Sequence, residues 1–233
     1  MTTHQCIVRE AVRETPRAIL LTLDAAGVRF AFSAGQAALV GLADRAGRKP
    51  YSIASSPEEL RRNGSLAFLV EVGPDGQSRP NLDGVGPGSR VAVEGPVGGF
   101  VLPRRLPGDL LFLAGGSGIA PLRAMIASAL DRPAPPSITL IYSARTPAEF
   151  AFARELRRLS RQRRVRLCTT VTREADRSWR GRRGRIRQAW IDAFVRGRAP
   201  LCFVCGPEGF VAGMKGMLRD AGVPARRIRR ELY

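Results

Sequence analysis

The sequence of 233 residues has a single histidine, His4, and only two lysines, Lys49 and Lys215. One histidine near an end excludes a histidine triad, a histidine-rich metal site and histidine general-base chemistry. The four cysteines, at 6, 168, 202 and 205, are too few and too scattered for a disulfide framework. They also lack the spacing of an iron–sulfur cluster. No apolar run of 18 residues escapes a charge or a cluster of glycines, so no membrane-spanning helix is expected. Met1 to Cys6 lack the basic and apolar regions of a signal peptide, and a cytoplasmic protein is expected.

What is present is a chain 44% hydrophobic, enough to bury a core, with a net charge of +18. With two lysines among 38 basic residues, 36 are arginines. A basic chain attracts nucleic acid, acidic proteins and anionic membrane surfaces, and charge alone does not choose among them. No helix-turn-helix, ribonucleoprotein or zinc-finger pattern accompanies the charge, so no specific nucleic-acid partner is expected.

The chain reads in two halves. In residues 1–105, short apolar runs such as Ala18–Thr22, Leu66–Val72 and Arg90–Val93 recur between Gly, Pro, Asp and Asn. That pattern predicts an antiparallel barrel or sandwich, with no long helical period. The second half alternates strand-like runs at 110–114, 138–142, 165–171 and 201–205 with helical segments. Phe152, Leu156 and Leu159 fall at i, i+4, i+7, Ile186, Trp190 and Phe194 share a face, and Val211, Met214 and Leu218 mark a last helix ending before Gly222. Strand–helix alternation predicts a parallel sheet covered on both faces. The division is expected near Pro103–Pro107.

Two stretches carry chemistry. In Ala114-Gly115-Gly116-Ser117-Gly118-Ile-Ala-Pro121 a buried strand runs into glycines and a helix starts at once. Glycines let the backbone approach a phosphate, and a helix N-terminus offers free N–H groups and partial positive charge. An ordinary turn has the same look, and the GxGxxG spacing is absent. In Arg48-Lys49-Pro50-Tyr51-Ser52 a cation, an aromatic face and a hydroxyl stand together, as they also would in a plain strand with an interior tyrosine. Cys202 and Cys205 spell CxxC, but in a strand a spacing of three puts them on opposite faces, which argues against a redox dithiol.

Seven motifs follow in order: Phe32-Ser-Ala-Gly35-Gln36, Lys49-Pro-Tyr51-Ser52, Gly95-Pro-Val-Gly-Gly-Phe100, Gly115-Gly-Ser-Gly118-Ile-Ala-Pro121, Tyr142-Ser-Ala-Arg145-Thr, Val171-Thr172-Arg173-Glu174 and Val204-Cys205-Gly206-Pro207. Over essentially the whole chain this resembles the ferredoxin–NADP reductase superfamily. The resemblance implies a six-stranded antiparallel β-barrel binding FAD, here residues 1–105. It implies a five-stranded parallel α/β domain binding NAD(P), here 106–233, with hydride crossing from nicotinamide to flavin. No fused iron–sulfur or haem module is read in the chain. Electrons would pass to a separate acidic acceptor protein: a ferredoxin, a flavodoxin or an oxygenase component. A free-flavin reductase and an electron-transfer subunit of a larger complex are the alternatives.

The same resemblance assigns residues. Lys49 and Pro50 stand where the family has Arg-x; Lys49 would meet the FAD pyrophosphate without the bidentate fork of arginine. Tyr51 would cover one flavin face and Ser52 would sit near its N5. Ser78, in Gly76-Gln-Ser78-Arg79, falls one position early for the second FAD phosphate contact. Gly115, Gly116 and Gly118 would meet the coenzyme pyrophosphate. Cys205 and Gly206 match a Cys-Gly pair beside the nicotinamide, Glu231 matches a carboxylate near the site, and Tyr233 would cover the other flavin face. Arg145, Thr172 and Arg173 follow the second and third strands, where ligands bind in open α/β sheets. No acidic residue closes the second strand, so these hydroxyl and guanidinium groups point to NADPH, with NADH possible.

Overall fold

The computed structural model describes residues 2–45, 47–73, 80–173 and 179–232, which form two compact units. One unit comprises residues 1–102 and Arg123–Asp131, and the other Pro103–Leu122 and 132–233. The sequence places the division between 105 and 106; by contacts it falls after Leu102, and a nine-residue stretch beyond it belongs with the first unit.

The first unit is an antiparallel sheet of six strands: β1 (Thr2–Thr15), β2 (Ala18–Asp24), β3 (Ala37–Leu42), β4 (Lys49–Ser52), β5 (Ser65–Glu71) and β6 (Arg90–Val97). Their order is β4-β3-β6-β1-β2-β5. An isolated antiparallel bridge between Ile53 and Phe68 links the end of β4 to β5 and draws the sheet toward closure. Closure leaves no open edge to recruit a foreign strand. The inward-facing residues alternate as the pleat requires, with Val8, Leu21, Leu23, Val40, Phe68, Val70, Val91 and Val93 at 1% exposure or less.

A helix that periodicity does not reveal lies between β4 and β5. This α1 (Pro57–Asn63) has Ser56 as N-cap, Pro57 at its first turn, and a capping box in which Ser56 and Glu59 each bond the other's backbone N–H. Gly64 ends it at φ 67°, a left-handed conformation that a glycine adopts without strain.

The second unit holds a parallel sheet: β7 (Asp109–Gly115), β8 (Ser137–Ala144), β9 (Arg166–Val171), β10 (Arg182–Arg183), β11 (Leu201–Gly206) and β12 (Ile228–Leu232), in the order β10-β9-β8-β7-β11-β12. It has six strands rather than the expected five. The two strands beyond the four apolar runs read from the sequence are edges, one of two residues and one of sequence Ile-Arg-Arg-Glu-Leu, and neither carries a continuous apolar run. The central strands do, because both of their faces are covered: six of the seven residues of β7 and all six of β11 are buried.

The remaining helices are α2 (Ile119–Leu130), α3 (Ala153–Arg161), α4 (Gln188–Val195) and α5 (Glu208–Asp220). Phe152 precedes α3 at φ 58° instead of opening it. Ile186 lies before α4, whose buried residues are Ile191 and Val195. In α5, Val211, Met214 and Leu218 face the core as the spacing predicts.

Within the first unit, Arg123 of α2 makes a bidentate ion pair with Glu59 at 2.6 and 2.7 Å and donates to the Ala54 carbonyl at 3.1 Å. The same carboxylate accepts the Ser56 backbone N–H at 2.6 Å, so one group caps α1 and anchors α2. Hydrogen bonds to charged groups contribute about 1.5–3 kcal/mol each when solvent is partly excluded. Arg123→Ala is therefore expected to lower stability by about 2 kcal/mol and Arg123→Lys by less, read as shifts in the urea midpoint.

Candidate functional site

In the second unit, strand ends and glycines make a cradle. β7 and β11 are parallel neighbours, with Ala114 opposite Cys205. β7 ends at Gly115, and Gly116–Gly118 form a single tight turn into α2. A Cβ on Gly118 would collide with the Cys205 carbonyl and lie 2.7 Å from the Gly206 nitrogen. Cβ atoms on Gly115 and Gly206 would come within 2.9 and 2.8 Å of the Phe210 ring. These positions have to be glycine because the backbones of two strand ends and one aromatic ring occupy the space. Gly116 has φ 57°, and its carbonyl accepts the Tyr142 hydroxyl at 3.0 Å. Tyr142 is fully buried, and its oxygen also accepts the Ala151 N–H at 3.2 Å. The turn is thus held from the next strand, and α2 opens with its N–H groups at the sheet's C-terminal edge.

On that edge the loops after β8 and β9 are joined. The Thr172 N–H bonds the Ala144 carbonyl at 3.0 Å and the Arg173 N–H bonds the Arg145 carbonyl at 2.8 Å. The Thr172 hydroxyl donates to Ala144 at 3.3 Å. Arg145 and Arg173 therefore stand side by side, both exposed and neither in an ion pair among the described residues. Two adjacent uncompensated guanidiniums suit a phosphate.

Cys205 is 2% exposed, with Glu231 as its register partner on β12. Burial, reinforced by the Glu231 carboxylate, pushes the Cys205 thiol well above the usual range. Burial likewise pushes Glu231 up to about 7. Its Oε2 is buried without a hydrogen-bond partner among the described residues. Cys202 belongs to the core cluster below the sheet, and its thiol is pushed up to about 12 by burial. All four cysteines are free and buried, and the covered, hard-to-ionise thiols of Cys202 and Cys205 do not suit a reactive CxxC.

In the first unit, Lys49 and Pro50 are exposed and Tyr51 is buried, at 9% exposure, in the barrel core. The Tyr51 hydroxyl donates to Asn81 Oδ1 at 3.2 Å, and Asn81 donates to the Val40 carbonyl at 2.8 Å. The ring that would cover a flavin is thus held mainly by its own barrel. Arg48 pairs with Glu94 at 2.9 Å and does not stand in for the arginine that Lys49 replaces. Ser52 is half-buried, at the end of β4. Ser78 and Tyr233 lie outside the described residues.

The sequence did not single out Tyr142, Phe210 or Asn81 as supports. Phe210 could have been found: it stands four residues after Gly206, in the first turn of α5, where a ring reaches back over the strand end.

The group chemistry fits two nucleotides: a glycine-lined helix start and paired arginines in one unit, an exposed lysine beside a hydroxyl in the other. A family model described as Oxidoreductase FAD-binding domain matches residues 5–102, and one described as Oxidoreductase NAD-binding domain matches 112–216. The chain is 31% identical over 218 residues to ferredoxin–NADP reductase B of Sorangium cellulosum, covering 89% of this chain and 87% of that protein. It is 33% identical over 239 residues to the ferredoxin reductase component of a 3-ketosteroid-9-alpha-monooxygenase of Mycolicibacterium smegmatis, covering 97% of this chain but 64% of that component's length. The solved structure of a ferredoxin–NADP+ reductase from Neisseria gonorrhoeae with bound FAD and NADP superposes with a TM-score of 0.78 at 22% identity, over 100% of this chain and 99% of that one, a likeness of fold.

A raised carboxyl has a sign. Between pH 4.5 and about 7 the folded protein keeps a proton on Glu231 that the unfolded chain releases. Its contribution to stability is full below pH 4.5 and is lost as pH rises through 7. Glu231→Gln is expected to flatten that decline, so the drop in urea midpoint between pH 5 and pH 8 shrinks relative to the parent protein.

Proposed function

We propose, from the fact that this chain belongs to the ferredoxin–NADP reductase superfamily of FAD- and NAD(P)-binding oxidoreductases, that it is an NADPH-dependent flavoprotein reductase delivering electrons to a separate protein acceptor. The observation that carries the coenzyme half is the glycine cradle of Gly115, Gly118 and Gly206, with Arg145 and Arg173 on the same sheet edge and in no ion pair among the described residues. Relatives named as reductase components of oxygenase systems support a protein acceptor.

Bound FAD would accept a hydride and release electrons one at a time. The chain's residues bind and orient. Lys49 would supply a point charge for the FAD pyrophosphate and Ser52 a hydroxyl at the end of β4, with Tyr51 as the assigned aromatic wall, held mainly in the barrel core. Ser78, outside the described residues, is assigned the second phosphate contact. Gly115, Gly116 and Gly118 admit the coenzyme pyrophosphate to the N-terminus of α2. Arg173, with Arg145 and Thr172, takes the 2′-phosphate. Cys205 and Gly206 would wall the nicotinamide with a neutral thiol, and Glu231, the register partner of Cys205, would stand by as a protonated or ionised carboxyl according to pH; Tyr233, outside the described residues, is the residue assigned to the flavin's second face. Hydride transfer requires no strong base, which suits a chain whose one histidine is His4.

The test is the visible spectrum of the purified protein followed by anaerobic titration with NADPH and then NADH. A yellow protein that releases FAD on denaturation and bleaches with NADPH is expected; a protein that binds no flavin on titration refutes the proposal. A free-flavin reductase is a second reading, favoured by the burial of Tyr51 and the pairing of Arg48 with Glu94, which leave fewer groups to hold a flavin. It predicts a colourless protein that turns over only with added flavin. For the coenzyme, Arg173→Ala is expected to raise KM for NADPH roughly tenfold or more over its effect on NADH, because a charge-assisted contact contributes about 1.5–3 kcal/mol and 1.4 kcal/mol is a factor of ten. Equal effects on the two coenzymes defeat the 2′-phosphate assignment.

A further inference from the structure

Within the second unit a chain of aromatic contacts joins the arginine-rich β10 segment to the glycine turn. Trp179 stacks on Phe150, with ring centroids 5.8 Å apart and planes at 28°. Phe150 meets Tyr142 edge-on at 4.9 Å, and the Tyr142 hydroxyl donates to the Gly116 carbonyl. The indole is also bound into its own loop. Its Nε1 donates to the Arg182 carbonyl at 3.0 Å, and the Arg183 guanidinium donates to the Trp179 carbonyl at 2.7 Å. The Gly181 backbone lies against the ring, where a Cβ would stand 2.2 Å from Cζ2. Trp179 is therefore occupied by protein contacts and acts as a support.

The segment needs such a support. β10 pairs with β9 only at Arg182–Thr170 and Arg183–Val171. Just beyond, the buried Thr170 hydroxyl donates to the Gly184 carbonyl at 2.7 Å, and the Gly184 N–H bonds the Val171 carbonyl at 2.8 Å. The two strands are parallel and run out at the same edge. Arg185 lies two residues past Arg183, as Arg173 lies two past Val171. Arg183 is used on the Trp179 carbonyl, and the Arg182 guanidinium lies over the Trp190 ring at 4.6 Å. Arg180 and Arg185 are exposed and in no ion pair among the described residues. The positive field at the edge that carries Arg145 and Arg173 thus depends on where this segment is held.

We propose that Trp179, stacked on Phe150, is a positioning residue for coenzyme selectivity: it sets the β10 segment against the sheet edge, so that the arginines there favour a coenzyme bearing a 2′-phosphate. The proposal rests on the NADPH reading and deepens it. The ring acts through the segment it holds and touches no coenzyme atom. That distinction has a measurable consequence. A ring lying on the coenzyme would act on the adenine, which both coenzymes carry. A ring that places guanidiniums acts on the phosphate, which only one of them carries, and selectivity is the difference between the two affinities.

The test titrates NADP+ and NAD+, which differ by the 2′-phosphate alone, into the parent protein and three variants by calorimetry. Trp179→Leu removes the stack. Gly181→Ala keeps the indole but puts a methyl group where it lies, at a position whose backbone is not left-handed and so suits alanine. Trp179→Phe keeps an aromatic face on Phe150. Trp179→Leu and Gly181→Ala are each expected to weaken NADP+ binding at least about fivefold and NAD+ binding less than about twofold. Trp179→Phe should stay within about twofold of the parent for both. The proposal is overturned if Trp179→Leu loses nothing, if both coenzymes lose alike, or if Trp179→Phe falls as far as Trp179→Leu. Should Trp179→Leu fail to fold, Gly181→Ala decides by the same criteria. A parent protein that binds NADP+ no better than NAD+ overturns the NADPH reading and this proposal with it. A parent that prefers NADP+ while the variants match it overturns this proposal alone.

Discussion

The contact between the Gly118 backbone and the Cys205–Gly206 peptide is the constraint on which the second unit depends. Two parallel strands end side by side, and the chain leaving one has to turn against the end of the other. A methyl group at Gly118 would part them. Phe210 then closes over Gly115 and Gly206, and Tyr142 reaches from β8 to hold the Gly116 carbonyl. Once the turn is fixed, so is the start of α2. Through strand register the same contact sets where Cys205 stands and, one strand further, where Glu231 stands. A site assembled on strand ends in this way inherits the rigidity of a packed sheet, unlike one carried by a long loop.

Much of this was legible in the sequence, for physical reasons. A continuous apolar run into glycines and then a helix is a strong local signal, because buried parallel strands must be apolar on both faces and the turn has no room for side chains. What escaped was determined by partners distant in sequence. The strand β12 is mostly charged and becomes a strand because β11 offers it an edge. The helix α1 is seven residues long, too short for a period to show, although Ser56-Pro-Glu-Glu59 spells its capping box. Residues Arg123–Asp131 join the first unit through contacts such as that of Arg123 with Glu59, 64 positions apart. Tyr51 reads as a candidate stacking ring, and only the barrel shows that Asn81 holds its hydroxyl.

Arginine serves two ends in this molecule. Arg123 is mostly buried, and its fork is matched by both oxygens of Glu59 and a carbonyl, so its charge is spent on holding backbone. Arg145 and Arg173 are brought together by a backbone hydrogen bond between their loops, and neither is in an ion pair among the described residues. Mutual repulsion between such neighbours is tolerated at the surface, where water screens it, and it sets up the field an anionic ligand relieves.

The burial of all four thiols has a consequence for how the molecule can be watched. Thiolates, not thiols, react with alkylating reagents, and here each sulfur is both covered and held above its ordinary pKa. Modification therefore waits for the backbone around a cysteine to open. Cys6 lies in the first unit and Cys168, Cys202 and Cys205 in the second. The native sequence thus contains its own set of opening reporters, one for the barrel and three for the parallel sheet. Their separate labelling rates would resolve the free energy of opening unit by unit, as amide exchange does, without an engineered probe.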